Sequence, residues 1–137
     1  MTAYRWRTGG TGKEAMAKIF RVYTGNDGQS HLEEMNLPLE PFVDTEGAYG
    51  KGTPLEPAAG ITFRVAEPGY FLDWHNAPRR QYTITLSGEA EIGVGDGTVR
   101  RVGVGDVLLA EDLTGQGHTT RVVGTEQRLS AVIPLDG

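Results

Sequence analysis

From Ile19 onward, apolar and polar residues alternate in short runs broken by glycine. Ile19-Phe20-Arg21-Val22-Tyr23 has the make-up of a strand and runs into the turn sequence Gly25-Asn26-Asp27-Gly28. Ser30–Met35 fits a second strand or one helical turn. Residues 36–60 hold four of the seven prolines, which predicts a long connection with room for one short strand. Ile61-Thr62-Phe63-Arg64-Val65 is apolar at every second position, the pattern of a half-buried strand. Tyr70–Trp74, Gln81–Leu86, Ala90–Val94, Val107–Ala110 and Thr119–Val123 follow at the short spacing of an all-β sandwich or barrel, and Leu129–Ile133 closes the series. Asp96-Gly97 is a strong hairpin signal. The one helical candidate, Lys13–Lys18, is too short to be stable alone. No solenoid-length repeat and no βαβ pattern is present, so Gly93-Val94-Gly95-Asp96-Gly97 reads as a hairpin turn and not as a dinucleotide loop.

The pattern leaves one question of facing open. In Gln81–Leu86 one face carries Gln81, Thr83 and Thr85, the other Tyr82, Ile84 and Leu86. A polar face suits solvent, and pattern alone favours that arrangement. It also suits the inside of a polar barrel, with the apolar set packed on a second layer or subunit.

Composition narrows the class. The chain has 137 residues, enough for one domain that buries roughly two thirds of its unfolded surface. Twenty glycines, near twice the usual share of about 7%, leave little space for long helices. Thirteen basic against 18 acidic side chains give a formal charge of −5, which argues against non-specific nucleic-acid binding. The absence of cysteine excludes disulfides, thiolate zinc sites, iron–sulfur clusters and cysteine nucleophiles. No run approaches the roughly 20 apolar residues that span a bilayer, and residues 1–15 lack the apolar core of a secretory signal. The expectation is a cytoplasmic protein with no membrane partner. Residues 1–15, rich in glycine at 8–12, read as a leader or flexible arm ahead of a single domain at 16–137.

The stretch Gly69–Gly88 carries the most specific signal. Gly69, His75 and Gly88 stand at the spacing Gly, five residues, His-x-His, three or four residues, Glu, six residues, Gly, with Ala77 at the second histidine and Gln81 at the glutamate. This resembles the first motif of the cupin superfamily. A second, weaker cupin-like motif starts at Gly105-Asp106, has Glu111-Asp112-Leu113 in place of a Pro-x-Gly turn, and reaches His118, with Val122 at the customary asparagine. The resemblance covers residues 61–133. It implies an all-β, cupin-like double-stranded β-helix (jelly-roll) barrel with an N-terminal arm. It also implies that Gln81, Thr83 and Thr85 line a cavity with His75 and His118, while Tyr82, Ile84 and Leu86 pack outside, as suits a homodimer.

A typical cupin holds Fe, Mn, Ni or Zn with three histidines and a glutamate. Here His75, Gln81 and His118 are the metal candidates left by the resemblance, and Gln81 offers only a neutral oxygen, a weak donor for a divalent cation. A further ligand from His31, Asp73 or Glu111 has no spacing argument behind it. Without metal, His75 and His118 titrate near neutrality and can act as acid or base. Asp73 shares strand parity with His75 and can orient it or act as a base. Gln81 can donate to an oxyanion, and Arg79 and Arg80 can clamp a carboxylate at the mouth. The expected function is a small-molecule enzyme of the isomerase, cyclase or lyase type. A metal-dependent cupin enzyme, such as an oxygenase, and a non-catalytic module binding a small metabolite are the alternatives.

Overall fold

The structure is a computed structural model, and it describes residues 17–137. Residues 1–15, read above as a leader, and most of the helical candidate Lys13–Lys18 lie outside the described residues. The described chain contains twelve strands and no helix: β1 (Ile19–Thr24), β2 (Ser30–Met35), β3 (Glu40–Val43), β4 (Tyr49–Gly52), β5 (Thr62–Ala66), β6 (Phe71–His75), β7 (Gln81–Ser87), β8 (Glu89–Gly93), β9 (Val99–Val102), β10 (Val107–Glu111), β11 (His118–Val123) and β12 (Arg128–Pro134). Ser30–Met35 is thus a strand, since pairing with β1 over its whole length satisfies the backbone. The proline-rich stretch holds one more strand than its composition predicts, because β3 and β4 pair with each other.

Two sheets face one another. One has the order β2-β1-β10-β7-β12-β5, the other β6-β11-β8-β9. Only β1 and β10 run parallel among the strands of these sheets. This is the double-stranded β-helix, the jelly-roll barrel that the sequence implies. The hairpin read at Asp96-Gly97 joins β8 to β9, with the Asp96 carboxylate accepting from the Thr98 amide at 2.8 Å.

The barrel is filled unevenly. Where β1 and β10 face β8 and β9, Phe20, Val22, Leu108, Ala110, Ala90, Ile92, Val94 and Val102 form a dry core. Where β5, β7 and β12 face β6 and β11, the inward positions are more polar and leave a cavity of about 110 Å³. The strand at 62–66 corrects its half-buried reading. Its apolar residues Phe63 and Val65 are exposed, and Arg64 and Ala66 line the cavity. The inward face of this edge of the sheet is therefore the polar one, the opposite of the usual rule for a one-sided sheet.

Candidate functional site

His118 opens β11 and is 4% exposed. Its Nδ1 lies 2.6 Å from Oδ2 of Asp112, which is wholly buried. The same carboxylate oxygen accepts from the Ser30 hydroxyl at 2.6 Å. A carboxylate can only accept here, so the His118 proton sits on Nδ1 and the lone pair on Nε2. The His75 ring lies 4.3 Å from that of His118, centroid to centroid, tilted by 58°. Its Nδ1–H donates to the Asp73 main-chain carbonyl at 2.8 Å, which leaves its Nε2 unprotonated too. Burial pushes the His75 pKa below the ordinary imidazole value, helped by the charge of His118 and opposed by the bond to Asp73. Two imidazoles this close do not both take up a second proton and become charged readily.

A bulge creates this pairing. His118 pairs with His75 but Thr120 pairs with Leu72, so a step of three residues along β6 opposes a step of two along β11. The extra residue breaks strand parity. Tyr70, Leu72 and His75 all line the cavity, while Asp73 and Trp74 face out. This corrects the parity argument that set the Asp73 carboxylate beside His75. Asp73 reaches the site through its carbonyl, and its carboxylate accepts from the Trp74 amide at 2.9 Å. Gly117 makes the approach of β6 to the loop before β11 feasible. It has φ +82°, and a Cβ there would overlap the His75 carbonyl.

The remaining expected residues divide. Gln81 and Thr83 line the cavity with Tyr70, Thr120 and Ser130, which answers the open question of facing in favour of a polar interior. Thr85 does not reach it. That side chain is buried and accepts from Arg128 Nη2 at 3.0 Å. Arg79 and Arg80 are not at the mouth. Arg79 donates to the Leu135 carbonyl at 3.2 Å, and Arg80 to Glu111 at 2.6 Å. Both lie in the bend between β6 and β7, where Ala77, Pro78 and Gln81 line the cavity and the two arginines do not. Glu111 lies on the outer face of the sheet between Arg21 and Arg80, each at 2.6 Å. Burial would raise its pKa, but these two guanidinium bonds outweigh it and hold the carboxyl below its ordinary value. His31 pairs with Asp27 at 3.0 Å on the surface. None of His31, Asp73 and Glu111 lines the cavity.

Sequence reasoning missed Asp112, Arg64 and Arg128. Asp112 had a signal. Leu108 and Ala110 line the cavity and Val107, Leu109 and Glu111 line the outer groove, so parity along β10 puts residue 112, not 111, inside. Arg128 is 9% exposed and Arg64 joins it in the cavity wall. Strand parity at 61–65 marks Arg64 once the polar face is known to turn inward.

The donor set does not fit a resident divalent cation. Among the described residues no three His, Cys, Asp or Glu side chains converge. His75, His118 and Gln81 would supply three neutral donors, Asp112 is bound through Oδ2 to His118 and Ser30 with its Oδ1 buried and without a partner among the described residues, and two guanidiniums line the same cavity. Ala77, at the position of a motif histidine, is packed into the core with no donor atom.

Fold and site together define the class: a double-stranded β-helix barrel with a polar, histidine-bearing interior. No protein-family model matches the sequence, and no curated protein matches it. Similar solved structures include a cupin 2 conserved barrel domain protein from Leptotrichia buccalis, at 24% identity and a TM-score of 0.47, covering 61% of this chain and 38% of that one. A second is an uncharacterized conserved protein with a double-stranded β-helix domain from Klebsiella pneumoniae, at 28% identity and a TM-score of 0.46, covering 58% of this chain and 66% of that one. A third is a 4-keto-6-deoxy sugar epimerase from Streptomyces spheroides, at 15% identity and a TM-score of 0.42, covering 93% and 74%. The chain thus spans less than two thirds of the length of the first two. The fold assignment rests on the chain's own strand order and register.

Proposed function

We propose that the cavity is the active site of a small-molecule enzyme working by general acid–base chemistry, of the isomerase, cyclase or lyase type. The observation that carries this reading is the buried Asp112–His118 pair, with a second imidazole of lowered pKa beside it. Asp112 holds the proton of His118 on Nδ1, so the Nε2 lone pair is the base. It removes a proton from a carbon next to a carbonyl, and the electron pair moves to the carbonyl oxygen. The Asp112 carboxylate stabilises the imidazolium that forms. Gln81 and Thr83 can donate hydrogen bonds to the developing oxyanion. His118 then returns its proton to a different atom. His75 stays neutral, kept so by burial and by the charge on its neighbour, and its Nε2 accepts a hydrogen bond from a substrate hydroxyl. Asp73 is a positioning residue through its carbonyl.

The test is proton NMR in D2O with small oxo- and hydroxy-compounds. Wild-type protein is expected to exchange a carbon-bound proton that His118→Asn leaves in place. Equal exchange in both proteins would overturn the base assignment. Binding without exchange across the whole set would turn the reading to a non-catalytic module.

The homodimer belongs to the same proposal. Edge strand β5 and the residue just before it present Ile61, Phe63 and Val65 to solvent, each about 60% exposed, and an open apolar sheet edge is a pairing surface. Val65→Lys is expected to shift the sedimentation coefficient from dimer to monomer. A monomeric parent would end this part of the reading.

A further inference from the structure

The arginines that line the cavity have no countercharge in it. Arg128 is nine-tenths buried, and its Nε–H is buried with no hydrogen-bond partner among the described residues. Its only bond to a described side chain is from Nη2 to the neutral Thr85 hydroxyl, at 3.0 Å. Burial and the nearby charge of Arg64 both pull its pKa down, which is the sign of a cation held among its own kind. Neither Arg64 nor Arg128 has a carboxylate within 4.0 Å among the described residues, whereas Arg21, Arg80 and Arg101 all do. A chain does not remove a guanidinium from water for the sake of one hydroxyl.

Register places the two arginines side by side. Arg64 pairs with Ser130 and Ala66 with Arg128 across β5 and β12, so the arginines are diagonal neighbours on the inward face, about 7–8 Å apart at the backbone. Arg128 lies near Tyr70, whose backbone pairs with Val122, while the imidazoles meet at His118, the opposite end of the cavity's stretch of β11. Along β11, His118 and Val122 both line it and are separated by about 13 Å of strand, less the side chains that reach in from each end. The volume sets the ligand's size. About 110 Å³ is somewhat less than the roughly 150 Å³ that takes benzene. A phosphate group is bulkier than a carboxylate and leaves less of that space for a reactive carbon near the histidines. A carboxylate leaves room for two or three further carbons, and its flat, two-oxygen edge matches the guanidinium fork.

We propose that the substrate is a small organic carboxylate, its anionic group held by Arg128 and Arg64 and its reactive carbon turned toward His75 and His118. This rests on the cavity being the active site, and it specifies what enters it. The acid–base reading alone leaves the charge of the substrate open.

The experiment titrates ¹⁵N-labelled protein with pyruvate, 2-oxobutyrate and acetoacetate, with methyl pyruvate and pyruvamide as uncharged counterparts, and with inorganic phosphate. The Nε–H signal of Arg128 and the dissociation constant are followed together. The acids are expected to move that signal and the esters and amides to leave it. Arg64→Gln, at an exposed position, is expected to weaken acid binding about tenfold, and Arg128→Met by about ten- to a hundredfold. Arg128→Lys keeps the charge without the fork and serves where the methionine variant does not fold. It is expected to bind the acids more weakly than the parent. Equal binding of acid, ester and amide overturns the proposal, as does phosphate outbinding every acid, or unchanged affinity in Arg64→Gln. Arginine-dependent acid binding without carbon–hydrogen exchange leaves this proposal standing and removes the acid–base one. Exchange of uncharged ketones with no arginine dependence does the reverse.

Discussion

Two pairs of arginines lie on opposite faces of the six-stranded sheet. Outside, Arg21 and Arg80 flank Glu111, and Glu33 and Glu56 add a second carboxylate to each. They border the larger hollow, about 820 Å³, lined by Ile19, Ile84, Leu109 and the proline-rich strap at 53–57. Inside, Arg64 and Arg128 border about 110 Å³ and meet no carboxylate among the described residues. The outer groove is larger but its charges are satisfied, so its arginines tie strands and strap together. The inner cavity is small and carries positive charge without a partner. Unmet charge, more than volume, marks where a ligand is expected.

That contrast can be broken from the inside first. His118→Asn is expected to lower the rate of carbon–hydrogen exchange by about 10²–10⁴-fold, measured by NMR in D2O, with acid affinity close to that of the parent. Asp112→Asn removes the ionised acceptor that fixes the His118 tautomer and leaves Ser30 facing an amide. A loss of about 10²-fold or more in the same assay is expected, with about 1–3 kcal/mol of stability lost for the buried network.

Gly117→Ala sharpens the account of how the site is held. The residue has a left-handed backbone and no space for a Cβ beside the His75 carbonyl. Urea denaturation is expected to show a loss of at least about 1–2 kcal/mol, together with lowered exchange as β6 and the loop part. Full activity and stability in this variant would show that His75 is placed by something other than this contact.

The pH dependence of stability follows from His75. Its folded pKa lies below its unfolded value. As pH falls through about 6.5, the unfolded chain takes up a proton that the folded chain does not, so stability declines from there down to the folded pKa. The contribution is fully present above the unfolded pKa. Denaturant midpoints between pH 7.5 and 5, values chosen about the imidazole range, are expected to fall less steeply in His75→Asn than in the parent.

The smallest effect is expected outside. Arg80→Gln removes bonds to Glu111 and Glu56 from side chains that are about one third exposed or less exposed for Glu111. The expected loss is below about 1 kcal/mol, with acid binding and exchange unchanged. A change in either would bring the outer arginines back into the site.

Much of this was readable before any coordinates. Most of the strand series from Ile19 to Ile133, the hairpin at Asp96-Gly97 and the spacing Gly69–His75–Gly88 follow from local pattern, although Val99–Val102 and one partner of the β3–β4 pair do not, and His75, His118, Gln81 and Thr83 do share one cavity. Asp73, Arg79 and Arg80 were drawn to the site by nearness in sequence. A single bulge at His118/Thr120 turned the Asp73 side chain away, and in the bend before β7 both arginines reach other partners, Leu135 and Glu111. Asp112 was hidden behind Glu111, its neighbour in the same acidic pair, although strand parity separates them.

The sequence by itself determined an all-β chain, most of its strands and, where no bulge intervenes, which residues share a side of a strand, because alternation and turn chemistry act over a few residues. It could not say which side of a strand is the inside. Polar Gln81, Thr83, Arg64 and Arg128 turn inward and apolar Phe63 and Val65 turn out, since the barrel's hollow is a polar site and the sheet's outer face is left to pack elsewhere. Only tertiary structure brought Ser30 to Asp112 across 82 residues of chain, beside His118, and Arg64 to the side of Arg128. Those meetings depend on sheet register and on one extra residue in one strand, and neither leaves a mark in the local pattern.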